Sequence, residues 1–133
     1  YKPPFELIDF LVIVEHRQGR GILAEASVKV RVGDKVMHTA AEGNGPVNAL
    51  DVALRKGLGK YQPFIGDLEL VDYKVRILNG GTGATTRVLI ESRDGKGNRW
   101  FTVGVSPNIV DASFQALSDS IIYKLVREGV AAR

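Results

Sequence analysis

Apolar and polar residues alternate along ELIDFLVIV at residues 6–14, and nearly the same phrase, ELVDYKVRI, returns at residues 69–77. Such alternation marks a strand, because successive side chains point to opposite faces. Ile8, Phe10, Val12 and Val14 share one face, and Val71, Tyr73, Val75 and Ile77 repeat it 63 residues later. The opposite faces diverge: Leu7, Asp9, Leu11 and Ile13 in the first copy, Leu70, Asp72, Lys74 and Arg76 in the second. The shared face is therefore expected to be core. The extra apolar face of the first copy is expected to lie under something its twin lacks. The same 63-residue offset aligns 37–54 with 100–117, pairing Thr39 with Thr102, Val47 with Val110, Ala49 with Ala112, Ala53 with Ala116 and Leu54 with Leu117. A unit of about 60 residues used twice sets the architecture before any single residue does.

Each copy reads as three strands and a helix. A Gly-rich turn follows the first strand, Gln18-Gly19-Arg20-Gly21 in one copy and Asn79-Gly80-Gly81-Thr82-Gly83 in the other. Second strands alternate through Ala26, Val28, Val30 and Val32, and through Thr86, Val88 and Ile90. Gly33-Asp34 and Asp94-Gly95-Lys96-Gly97 close hairpins onto third strands at about 36–42 and 99–105. An insertion in this second hairpin of the later copy offsets a shorter turn before it, which restores the common offset. Pro46 suits the first turn of a helix in which Val47, Leu50, Leu54 and Leu58 recur at helical spacing, until Gly57-Leu58-Gly59 ends it. In the second copy Ser106 is the expected N-cap and Pro107 the first-turn proline. Val110, Ser113/Phe114, Leu117, Ile121 and Leu125 form its stripe, and Gly129 is the expected stop. The expected fold is α+β: two β-β-β-α repeat units forming an antiparallel sheet assembly with helices on one side. Residues 1–5 read as a linker remnant and 6–133 as a single domain, its repeats at about 6–62 and 69–128.

Composition narrows the class. A chain of 133 residues with 44% hydrophobic content can bury a core, and its longest apolar stretch, LVIV at 11–14, is far short of a membrane span. No signal peptide pattern precedes the first strand, so cytoplasm is the expected location. Cysteine is absent, which excludes disulfides and thiolate metal sites. The net charge of +3 is spread among acids rather than gathered into a basic stripe with stacking aromatics, so no nucleic-acid partner is expected. The start on Tyr1-Lys2-Pro3-Pro4 reads as a piece of a longer protein.

Candidate chemistry is sparse. His16 and His38 align with no second histidine in the repeat, and Asp9 and Asp72 hold equivalent strand positions that suit backbone anchoring as well as acid–base work. No nucleophile–base–orienter set is visible. No catalytic residue, metal ligand or cofactor is expected in this chain. The sharper signal is the loop Gly43-Asn44-Gly45-Pro46-Val47-Asn48, which runs into a helix N-terminus where free N–H groups and the dipole favour an anion. Neither a phosphate-binding Gly-Lys-Ser/Thr nor a complete dinucleotide fingerprint is present, so a carboxylate fits better than a polyphosphate. A tight strand-to-helix turn would explain the two glycines equally well.

Taken together, HTAAEGNGPVNALDVALRKGL, LVDYKVRIL and the helix start WFTVGVSPNIVDASFQALSDS resemble the C-terminal regulatory domain of the α-isopropylmalate synthase and citramalate synthase family. The likeness covers residues 4–128, and VDYKVRIL with SFQALSDSIIYKL looks more like the citramalate branch. The resemblance implies a domain of two β-β-β-α units that forms a homodimer and binds an end-product amino acid, isoleucine for many citramalate synthases and leucine for isopropylmalate synthases. It implies an N-terminal TIM-barrel catalytic domain, absent here, which would carry the divalent metal and condense acetyl-CoA with a 2-oxo acid such as pyruvate. Carried over residue by residue, the effector site falls on Gly43, Asn44, Gly45 and Asn48, on Asp72, Tyr73 and Ile77, and on Ala84, with 107–109 as a weaker twin. Asp72 would take the effector's ammonium, and Leu7, Leu11 and Ile13 would lie under the dimer partner. The competing readings are a leucine-sensing isopropylmalate synthase domain, a purely structural dimerisation module, and a stand-alone amino-acid-binding module.

Overall fold

The computed structural model describes residues 3–19, 21–78 and 84–130, with the side chains of Arg17 and Ile22 left aside. The chain divides into two compact units, one running to Pro63 and the other Phe64–Glu128. In the first, β1 (Glu6–Arg17), β2 (Gly21–Val32) and β3 (Lys35–Gly43) form an antiparallel sheet in that order and are followed by α1 (Pro46–Gly57). A 3-10 turn at Gly59–Tyr61 and a single helical turn, α2 (Gln62–Ile65), complete the connection. The second unit repeats the plan with β4 (Glu69–Ile77), β5 (Thr86–Arg93), β6 (Arg99–Ser106) and α3 (Ile109–Arg127). Both are α+β units of a three-stranded antiparallel sheet and a helix, as the alternation and the helical stripes require. The Asn79–Gly83 turn and Arg20 lie outside the described residues.

The register explains why one offset serves both halves. Val14 faces Ala24 in the first unit and Ile77 faces Thr86 in the second, so the first connection of the second unit is one residue shorter. Val28 faces Thr39, but Ile90 faces Thr102, so the next hairpin is one residue longer. The two changes cancel. The extra residue sits in the Asp94–Asn98 turn, where Asp94 Oδ1 accepts the Lys96 and Asn98 N–H groups at 3.0 Å each.

Each helix is pinned to its sheet in the same way. Thr39 Oγ1 donates to the Ala53 carbonyl at 2.6 Å, and Thr102 Oγ1 donates to the Ala116 carbonyl at 2.7 Å. In the first core Ala24, Ala26, Val28 and Val30 pack against Ala49, Leu50, Ala53 and Leu54. In the second, Val88, Ile90 and Trp100 pack against Ala112, Leu117, Ile121 and Leu125. Each large aliphatic side chain removed from water in this way contributes about 1.5–3 kcal/mol. Gly104 lets the second helix approach closely: a Cβ there would fall on the Ala112 carbonyl oxygen and lie 2.9 Å from Gln115 Cβ.

Three sequence expectations are corrected. A β-bulge interrupts both first strands at the same repeat position, so Leu7 faces Val30 and Leu70 faces Ser92, while Ile8 and Val71 are the extra residues. The core-side set is thus Leu7, Phe10, Val12 and Val14, and Leu7 leaves the outer face. Second, that side is not closed. Helix α1 lies over β2 and β3 and barely reaches β1, and α3 lies over β5 and β6, leaving Tyr73, Val75 and Ile77 of β4 exposed. Alternation reports that a strand fits a pleated surface, not that something covers it. Third, the twin does not lack an outer apolar face. Leu11 is 60% exposed on β1, and the second unit carries Phe101 (61% exposed), Val103 and Val105 on β6 instead.

The start of α3 also moves. Ser106 is not its N-cap: its Oγ accepts the Asn108 N–H at 3.1 Å, and Asn108 caps the helix by taking the N–H groups of Val110 and Asp111 at 2.8 and 3.0 Å. An amide oxygen two residues nearer the helix satisfies two orphan donors, the N–H groups of Val110 and Asp111. Gly129, at φ 80°, follows the helix end as expected.

Candidate functional site

The loop into α1 separates its two glycines by role. A Cβ on Gly43 would collide with Asn48 Oδ1 and stand 2.6 Å from the Ala49 nitrogen, so the protein's own close turn requires that glycine. The Asn48 side chain folds back over the loop, its Oδ1 accepting the Asn44 N–H at 3.3 Å. Gly45 is different. It is the N-cap of α1 in an extended conformation, φ −171°, and a Cβ there would meet nothing within 4 Å.

No side chain caps α1, and its first turn holds no acidic residue, whereas α3 has both the Asn108 cap and Asp111. The free N–H groups of α1 therefore present partial positive charge to open space. A carboxylate placed there would gain charge-assisted hydrogen bonds from backbone donors.

In the second unit, strand alternation divides the predicted residues. Tyr73 faces Ile90 and Ile77 faces Thr86, which puts both on the helix side of the sheet with Val75. Asp72 faces Glu91 on the other side. Its Oδ1 accepts the Tyr73 N–H at 2.8 Å and its Oδ2 lies 3.7 Å from Lys74 Nζ, so it is occupied locally and does not join Tyr73 and Ile77. Ala84 is half-buried just ahead of β5. The Tyr73 hydroxyl crosses to α3 and lies 2.8 Å from Ser113 Oγ. Ser113 was legible in the sequence only as a polar gap in an apolar helical stripe.

His38 Nε2 is 2.7 Å from Ser27 Oγ on an exposed sheet face. Among the described residues no group of three or more His, Cys, Asp or Glu could hold a metal ion, and no helix is long and apolar enough to cross a membrane. A cavity of about 590 Å³ lies between the Gly33-Asp34 turn and the end of α1, lined by Lys35, Met37, Lys56 and Lys60. It contains none of the predicted site residues.

Comparison with known proteins gives the family. The family described as the LeuA allosteric (dimerisation) domain matches residues 1–125. The (R)-citramalate synthase of Geobacter sulfurreducens is 59% identical over 124 residues, 91% of this chain and 23% of that protein. The (R)-citramalate synthase of Aquifex aeolicus is 48% identical over 130 residues, 96% of this chain and 24% of that protein. The 2-isopropylmalate synthase of Pectobacterium atrosepticum is more distant, 34% identical over 116 residues, 87% of this chain and 20% of that protein. The chain spans between a fifth and a quarter of the length of these relatives.

Proposed function

Because the chain belongs to the LeuA allosteric (dimerisation) domain family, we propose that it is the feedback-sensing and dimerising part of a citramalate synthase-type acyltransferase, with isoleucine as its effector. In this reading the parent enzyme joins acetyl-CoA to pyruvate in a separate catalytic domain, and this domain sets how active that domain is. The single observation that carries the ligand-binding half of the proposal is the uncapped N-terminus of α1 beside the open Gly45, against a self-capped twin. A duplicated unit in which one helix end is sealed and the other left open is suited to receiving a carboxylate from outside.

The choice of isoleucine over leucine is supported by the higher identity to the citramalate synthases. The (R)-citramalate synthases named above stand at 48–59% identity and the 2-isopropylmalate synthase at 34%. The effector acts by binding one conformational state better than another, since only differential affinity shifts an equilibrium.

The test uses the full-length enzyme. Isoleucine should inhibit condensation of acetyl-CoA with pyruvate, and Gly45→Asp should remove that inhibition while leaving the assembly state unchanged. Inhibition by leucine instead would move the chain to the isopropylmalate branch. Uninhibited enzyme with either amino acid would leave a structural dimerisation module as the account.

A further inference from the structure

Tyr73 and Ser113 are the second-unit counterparts of Phe10 and Leu50, each 63 residues on. The registers confirm the first equivalence, with Phe10 facing Val28 and Tyr73 facing Ile90 at matching places in their sheets. An apolar pair in one copy has thus become polar at both members in the other, and the hydroxyls of that polar pair lie 2.8 Å apart.

The direction of that bond is fixed by a third group. Ser113 Oγ carries one proton, and it donates that proton back along α3 to the Ile109 carbonyl at 2.7 Å. The Tyr73 hydroxyl must therefore be the donor to Ser113. It is left with lone pairs only, so it can accept from a further group and cannot donate to one. A solvated tyrosine hydroxyl turns to suit either kind of partner; this one is set to a single role. Tyr73 is 39% exposed, and it shares its face with the open apolar side chains of Val75 and Ile77.

We infer that Ser113 is a positioning residue that holds the Tyr73 hydroxyl as an acceptor for the ammonium group of a ligand whose apolar side chain lies over Val75 and Ile77. The inference rests on the reading that this domain senses an amino acid, and its groups, Tyr73, Val75, Ile77 and Ser113, all belong to the second unit. Asp72, the expected ammonium partner, lies on the other face of β4 and is engaged with the Tyr73 N–H and Lys74.

The experiment titrates the chain with isoleucine and with 3-methylpentanoic acid, which keeps the carbon skeleton and carboxylate but lacks the amine. The wild type should prefer isoleucine. Ser113→Ala and Tyr73→Phe should each narrow that preference roughly ten-fold or more, the scale of a hydrogen bond to a charged group. Ser113→Thr, which keeps the hydroxyl, should retain the preference, and the Ser113→Ala/Tyr73→Phe double variant should lose no more than either single one. A Ser113→Ala protein that weakens both ligands equally, or keeps the full preference, overturns the role of Ser113 while leaving the sensor intact. A wild type that binds neither ligand overturns both.

Discussion

Lys124 Nζ lies 2.9 Å from Asp94 Oδ2, with the lysine side chain 1% exposed and the aspartate side chain 3%. The same ammonium reaches Glu128 Oε1 at 2.6 Å and Asp67 Oδ1 at 3.4 Å, so one cation ties the end of α3 to the β5–β6 turn and to the segment ahead of β4. Removing it would leave three carboxylates facing each other, two of them poorly solvated. Lys124→Met should destabilise the domain by about 3 kcal/mol or more in denaturant unfolding, because a buried charge left without its partner is expensive.

The network also sets the pH range of stability. Lys124, by its hydrogen bond, holds Asp94 well below its ordinary 3.8 and Glu128 below 4.5. Burial alone would lower the Lys124 pKa, but the hydrogen bonds its ammonium donates to Glu128 and Asp94 outweigh that and raise it above the ordinary 10.5. A lowered carboxylate contributes stability that is present above its unfolded pKa and lost as pH falls through the folded one. A raised lysine contributes stability present below 10.5 and lost as pH climbs through its folded value. Thermal unfolding should therefore hold a plateau across neutral pH, falling below about 4 and again above about 10.5, the ordinary carboxylate and lysine ranges. Lys124→Met should flatten the acid limb.

Two glycines near helix starts should respond in opposite ways. Gly104→Ala puts a methyl group onto the Ala112 carbonyl, a backbone atom that cannot swing aside, and should cost about 1–3 kcal/mol or more. Gly45→Asp meets open space and supplies α1 with the acidic cap it lacks, so stability should hold or rise by up to about 1 kcal/mol. Denaturant midpoints of the two variants check the contrast.

The exposed outer face of β1 bears on assembly. Leu11 and Ile13 are both open to solvent in this chain, and Leu11→Lys, which puts a charge beside Ile13, should weaken the proposed homodimer. Sedimentation of the variant should show a shift toward monomer. An unchanged dimer would move the contact to another surface, with Phe101, Val103 and Val105 next in line.

Much of the fold was legible because the chain states it twice. Repetition fixed strand count, helix positions and the compensating one-residue changes, since two noisy copies of one pattern are easier to read than one. The bulge at Ile8 and Val71 was not legible: no glycine or proline signals it, and it reverses which neighbouring residues face the helix. The bulge moves only Leu7 and Leu70 to the helix side, whereas Asp72 and Tyr73 stand on opposite faces by the alternation already visible in the sequence. Lys124 reads in sequence as one more polar residue in a helix, and only tertiary packing makes it the hub of an ion cluster. At the open α1 end the sequence supplied the loop, and the structure supplied the distinction between Gly43, needed by the turn, and Gly45, left free.

The most direct measurement of the central claim is a calorimetric titration of this chain with isoleucine and with leucine. Saturable binding of isoleucine, tighter than that of leucine, is the expected result. No binding of either amino acid by the folded chain would contradict the account.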